Sequence, residues 1–276
     1  MPERHAIPGF TLGRRLGGGP TCDVWTATDA RGRTVAVKQL KTNADDDAVF
    51  LLHREAVAGQ AIRHANVVEY RSSYLDHEPP FLVLEYLFGE SARQRLDRRG
   101  VPSAGLALGW LRQTAEALAA VHDAGFVHGD IKPANLLITG PGTVKLIDLG
   151  FARRPGDVQP WADRGHILGT ANYLAPELTV LPPVDSPAAD LFSFGVLAFE
   201  LLTGRLPYGG RSTSDVVKLR RQCQPADLRI AGTWPTALVV MIADLTDPIP
   251  ANRPRAAEVV NELAKVQIAM LGRKAA

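Results

Sequence analysis

His128-Gly129-Asp130-Ile131-Lys132-Pro133-Ala134-Asn135 is the stretch of this chain that decides its fold. It sets a carboxylate, a lysine two residues later and an amide five residues later in one short segment. Pro133 has no N–H and cannot sit in a helix interior, so the segment reads as a loop. A helical pattern precedes it, and the apolar Leu136-Leu137-Ile138 follows. Downstream, Val144-Lys145-Leu146-Ile147-Asp148-Leu149-Gly150 reads as a strand that ends in a carboxylate and then turns. Asn135 and Asp148 are hard oxygen donors, the kind that Mg²⁺ takes together with substrate phosphate rather than from an all-protein cage.

Upstream, Gly17-Gly18-Gly19 lies between two strand-like stretches, followed by Cys22 and Val24. Glycines let a backbone turn sharply and bring its N–H groups against an anion. Because a strand follows rather than a helix, the pattern is not a dinucleotide fingerprint. Taken alone, three adjacent glycines make a hairpin turn. Val35-Ala36-Val37-Lys38 comes next, and strand alternation puts Lys38 on the face of Ala36, toward a cleft under the glycines. A buried ammonium needs a partner, and Glu55 on the intervening helix is the natural one.

Around these pieces the first third reads as strands over residues 10–16, 24–28, 34–40, 67–74 and 81–86, with a helix over 45–63. Beyond Gly89 the apolar residues recur at helical spacing: Leu106, Trp110, Leu111, Leu118 and Val121, then Phe192, Val196, Phe199 and Leu202, then residues 255–270. The sequence predicts a small antiparallel sheet carrying one helix, a hinge at 85–89 and a mainly α remainder, with a ligand cleft at the hinge. The chain has 276 residues and a formal charge of +2, so no basic field calls for nucleic acid. Two cysteines make neither a disulfide framework nor a structural zinc site, which points to a reducing, cytoplasmic setting. The amino terminus lacks the apolar core of a secretory signal. The longest apolar run, residues 191–202, contains Glu200 and is too short to span a bilayer.

In order, the glycine loop, Lys38, Glu55, His128…Asp130…Asn135, Asp148-Leu149-Gly150, Ala175-Pro176-Glu177, Asp190-Leu191-Phe192-Ser193-Phe194-Gly195 and Asn252-Arg253-Pro254 resemble a eukaryotic-type (Hanks-type) serine/threonine protein kinase catalytic domain. The resemblance implies an α+β, two-lobed fold, with an N-lobe over 1–84, a hinge over 85–89 and a C-lobe over 90–276. Leu16, Val24, Ala36 and Leu137 would enclose adenine, with Gly17, Gly18 and Gly19 over the phosphates and Leu84 as gatekeeper. The backbone from Glu85 to Leu87 would hydrogen-bond the base. Lys38, held by Glu55, would bind the ATP phosphates, while Asn135 and Asp148 would carry Mg²⁺, with Mn²⁺ as an alternative. Asp130 would receive the hydroxyl proton, and Lys132 would stand by the γ-phosphate. The partner implied is a protein with a Ser or Thr acceptor. Glu177 and Arg253 would form a structural ion pair.

Some positions depart from the family pattern. Cys22 replaces the third loop glycine, a small tolerated residue or a redox sensor. Gly129 stands where phospho-regulated kinases carry arginine, and residues 151–169 contain no Ser, Thr or Tyr, which predicts activity without activation-loop phosphorylation. Gly59, four residues after Glu55, leaves the helix without a bulky linking side chain. That predicts a mobile helix seated by an activating protein partner. The His-Gly-Asp triplet is also similar to aminoglycoside and choline kinases, against which Lys132 and residues 169–177 argue. A pseudokinase scaffold is disfavoured by the presence of Lys38, Asp130, Asn135 and Asp148. Arg93, Arg95, Arg98 and Arg99 read as a solvated helix face, and His122 as a helix cap.

Overall fold

A computed structural model describes residues 7–140, 142–157, 172–179, 186–208 and 234–274. Five strands form the first sheet: β1 (Phe10–Gly18), β2 (Cys22–Asp29), β3 (Thr34–Leu40), β4 (Tyr70–Tyr74) and β5 (Phe81–Glu85). They lie in the order β1-β2-β3-β5-β4, each neighbouring pair antiparallel. The register sorts the side chains into two sets. Val35, Val37, Phe81 and Val83 pack with Ile7 and Ala27 on one face. Ala36, Lys38, Leu82 and Leu84 take the other, where Val24 pairs with Lys38 and Tyr70 with Leu84.

Helix α1 (Asp46–Ala61) covers that second face. Asp45 caps it by accepting from the Ala48 amide at 2.9 Å, and Asp46 and Asp47 fill its first turn, where the helix dipole favours acids. The strand expected over 67–74 begins only at Tyr70. Residues 66–68 bond elsewhere: the Val68 amide donates to Leu146 O at 2.9 Å, and the Leu146 amide to Asn66 O at 2.7 Å.

A second sheet, in the order β6 (Gly89–Ser91), β7 (Leu136–Thr139) and β8 (Thr143–Leu146), follows directly on the loop over 128–135. Helices α2 (Ala92–Arg99), α3 (Ala104–Asp123), α4 (Pro187–Thr203), α5 (Thr236–Leu245) and α6 (Ala256–Lys274) make up the rest of the described chain. A Ser91–Gln94 capping box starts α2, and Pro187 stands in the first turn of α4. Gly204, at φ 72°, ends α4 in the left-handed conformation that a C-cap glycine supplies. Leu108, Leu111 and Leu118 of α3, together with Val259, Leu263 and Val266 of α6, belong to one core with Phe194 and Leu197 of α4. Helix α4 is buried nearly all round, as expected of a helix with no polar face. Among the described residues, no helix is long and apolar enough to cross a membrane.

Candidate active site

The cleft between the two sheets is built around one lysine. Lys38 Nζ donates to Glu55 Oε2 at 2.7 Å, to Glu55 Oε1 at 2.9 Å and to Asp148 Oδ1 at 2.8 Å. Strand β3, helix α1 and the turn after β8 thus meet at a single ammonium. Burial alone would depress the Lys38 pKa, but Asp148 and then Glu55 outweigh it and hold the amine charged, above its usual range. The same ammonium draws the Asp148 carboxyl down to about 2. Glu55 is 2% exposed, and burial pushes its carboxyl up while Lys38 pulls it back. Asp148 adopts φ 65°, a left-handed conformation that a non-glycine residue holds only when its surroundings demand it.

The catalytic-loop candidates converge on a second carboxylate. Asp130 Oδ2 accepts from Lys132 Nζ at 2.7 Å and from Asn135 Nδ2 at 2.9 Å. Asn135 also donates to Asp130 O at 2.8 Å, and its carbonyl accepts from the Ile147 amide at 2.9 Å, which ties it to the Asp148 segment. With its Nδ2 committed to Asp130, the Asn135 amide has its oxygen to offer a cation. Among the described residues, no cluster of three or more His, Cys, Asp or Glu side chains is placed to hold a metal. The Asp148 carboxylate and the Asn135 amide oxygen are hard donors of the kind that a divalent cation takes together with phosphate oxygens.

Sequence reasoning gave no role to the group that braces this loop. Asp190, 2% exposed at the start of α4, accepts from the amides of His128 at 2.7 Å and Gly129 at 2.8 Å and from His122 Nε2 at 2.9 Å. Burial would raise its carboxyl, yet these donors hold it below the ordinary range. His122 is thus a tertiary link to Asp190 rather than a helix cap. The motif around Asp190 was visible in the sequence, but its target was not. Gly129 lies at φ 78°, and a Cβ there would collide with Arg153 NH1 and stand 3.0 Å from Phe151 O.

On the nucleotide side, Val24, Ala36, Lys38 and Leu84 share one face of the first sheet by register. Leu16, at 40% exposure, lies in β1 before the glycines, and Leu137 is half-buried on β7. A Cβ at Gly17 or Gly19 would meet nothing within 4 Å, whereas at Gly18 it would overlap Asp23 and Arg15. Gly18 is therefore fixed by packing within the loop, and Gly17 and Gly19 border open space. The Glu85 amide is spent on Glu69 O at 2.9 Å, so position 85 has no N–H to offer a base. Burial raises the Cys22 thiol, the opposite of what a reactive thiolate needs.

The expectation that Gly59 contributes no packing is overturned. A Cβ at position 59 would overlap Cγ, Cδ1 and Cδ2 of Tyr70, so the missing side chain is the space that the Tyr70 ring occupies. The Tyr70 hydroxyl then donates to Glu55 Oε1 at 2.5 Å. Glu55 is seated on Lys38 by groups of the chain itself. The arginines of α2 are also engaged rather than simply solvated: Arg93 pairs with Glu200, and Arg98 lies 2.9 Å from Glu90. Arg253 grips Glu177 through two bonds of 2.6 and 2.9 Å, as the sequence implied. Trp161, Thr170 and most of the Ser/Thr/Tyr-free stretch lie outside the described residues.

A two-lobed frame with a lysine–glutamate pair, a carboxylate-bearing loop and a further carboxylate after a strand is the arrangement that the kinase resemblance implied. Residues 10–263 match the protein kinase domain, and the chain belongs to the protein kinase family. It is 39% identical over 209 residues to the serine/threonine-protein kinase PknA of Mycobacterium tuberculosis, covering 73% of this chain and 48% of that protein. To a serine/threonine-protein kinase of Corynebacterium efficiens it is 39% identical over 217 residues, 76% of this chain and 41% of the relative. A probable serine/threonine-protein kinase of Clostridium acetobutylicum is 31% identical over 263 residues, 94% of this chain and 40% of the relative. The chain spans less than half the length of these relatives. None of them carries a name that supports a small-molecule phosphotransferase.

Proposed function

We propose that this chain transfers the γ-phosphoryl group of ATP to Ser or Thr hydroxyls of proteins. The observation that carries this reading is the convergence of Glu55 and Asp148, from two separate elements, on the Lys38 ammonium of a third, each within 2.9 Å of it. Asp130 takes the proton of the attacking hydroxyl as the oxygen bonds to phosphorus and the bond to the ADP oxygen breaks. Lys132 and Asn135 hold Asp130 in place for that step. Lys38 steadies the nucleotide phosphates, and Leu16, Val24, Ala36, Leu84, Leu137 and the Leu87 backbone take the base. The ammonium and its two carboxylates sum to a net negative charge, which by itself would repel a triphosphate. A divalent cation on Asp148 and Asn135 supplies the missing positive charge, and we assign it as Mg²⁺.

The same reading divides the chain into an N-lobe over 1–84, a hinge over 85–89 and a C-lobe over 90–276. Independence from activation-loop phosphorylation is supported by Gly129 in the place of a catalytic-loop arginine and by the lack of Ser, Thr and Tyr over residues 151–169. A protein partner acting on α1 would meet the exposed Phe50 and Val57 of its outer surface. A cytoplasmic setting fits the free thiol of Cys22.

Intact-mass measurement after incubation with Mg²⁺-ATP and a generic protein substrate tests the proposal. Wild type should add phosphate to the substrate, and Asp130→Ala should lose at least about a hundredfold in rate, the scale of general acid–base catalysis. Transfer to amino alcohols or aminoglycosides but not to protein, or full activity in Asp130→Ala, would refute it.

A further inference from the structure

Tyr70 is 4% exposed on β4 and meets helix α1 at two points. Its ring lies against the backbone of α1 at Gly59, where no other residue type leaves room. Its hydroxyl donates at 2.5 Å to Glu55 Oε1, the oxygen that also accepts from Lys38 at 2.9 Å. Burial and the neighbouring Glu55 carboxylate keep the phenol protonated, and therefore a donor.

Core packing alone does not account for this arrangement. A phenylalanine would fill the same volume without bringing a hydroxyl that must find a partner when buried. Glycine near the end of α1 also weakens the helix on which Glu55 depends. Both choices work against stability unless the phenol does something that a hydrocarbon ring cannot. What it does in the structure is make a charge-assisted bond to Glu55, one of the two carboxylates that grip Lys38.

We infer that Tyr70 is a positioning residue for phosphotransfer: passing through the notch left by Gly59, its hydroxyl latches Glu55 in the place where it holds Lys38. This rests on the proposed roles of Lys38 and Glu55. The latch joins β4 to α1, and through Lys38, which also donates to Asp148 Oδ1 at 2.8 Å, it couples the seating of the helix to the Asp148 turn.

The test compares wild type, Tyr70→Phe, Glu55→Ala, the double variant and Gly59→Ala. The readouts are steady-state phosphotransfer, thermal melting and hydrogen exchange of amides 46–61. Tyr70→Phe should still melt cooperatively, exchange faster in α1, and lose about tenfold in kcat/KM for ATP, as for one hydrogen bond to a charged group. In the Glu55→Ala background the same change should cost less than about twofold, because the hydroxyl has nothing left to hold. Gly59→Ala ordinarily strengthens a helix; here it should lower the melting temperature and speed exchange, because the new methyl displaces the ring. Unchanged or higher activity in Tyr70→Phe, equal losses in both backgrounds, or a stabilised Gly59→Ala would each overturn the latch. If Glu55→Ala is itself fully active, the site reading fails and the latch with it. If Glu55→Ala is crippled while Tyr70→Phe is not, the latch alone fails.

Discussion

At position 129 the backbone, and not a side chain, sets the identity of the residue. The φ of 78° is a conformation that L-residues resist, and a Cβ would meet both Arg153 and the Phe151 carbonyl. Gly129→Ala is therefore expected to destabilise the fold by about 1–2 kcal/mol, read as a lower urea midpoint with an unchanged slope. A midpoint at or above wild type would show that the loop accommodates the methyl group. Asp148 holds a comparable φ of 65° without being glycine. That strain is tolerated because Lys38 binds its carboxylate at 2.8 Å.

Among the elements, α4 does most to support the candidate catalytic loop. Its Asp190 holds the amides of His128 and Gly129, and the His128 ring is fully buried beneath them. Burial lowers the pKa of His128 from its ordinary 6.5, against the pull of Asp190 and Asp130. The unfolded chain thus takes up the proton first, so the stability present above that ordinary value declines as the pH falls through and below it. The melting temperature of wild type should drop between about pH 7.5 and 5.5. In His128→Phe, which keeps a ring there but cannot be protonated, that part of the slope should vanish. Identical slopes in the two proteins would rule out His128 as the titrating group.

Across the whole molecule, the two sheets are stitched by residues 66–68, of which Val67 and Val68 fall in the stretch expected as strand. Asn66, 8% exposed, donates to Val144 O at 2.7 Å and to Gln113 Oε1 at 3.0 Å, while its carbonyl takes the Leu146 amide. The Val67–Val68 pair is pinned beside β8 as a result, and the partners it would need as strand lie elsewhere. Asn66→Ala leaves buried acceptors without their donor and should cost about 1–3 kcal/mol. It should also raise hydrogen exchange in 144–146 before it does so in β1 or β2. A change smaller than about 0.5 kcal/mol, the scatter of surface substitutions, would show that the tether is replaceable.

Much of this was legible in the chain itself. Periodicity gave β3 and β5 nearly to the residue and the apolar positions of α3 and α4, because each buries one face or all of its surface and must repeat apolar residues accordingly. The spacing of Asp130, Lys132 and Asn135 gave the local cluster, since a loop that short brings its own side chains together. The sequence also marked Gly59 as odd but pointed to the wrong reason. What filled the gap was Tyr70, a residue in another strand with no motif of its own. His122 was misread in the same way, because its partner, Asp190, is far along the chain and adjacent only after folding. Composition and order thus determined which groups this protein has and the family to which it belongs. Only tertiary packing decided which buried carboxylate each donor reached, because a charge in a low-dielectric interior takes its partner from whatever the fold brings near, whatever the distance in sequence.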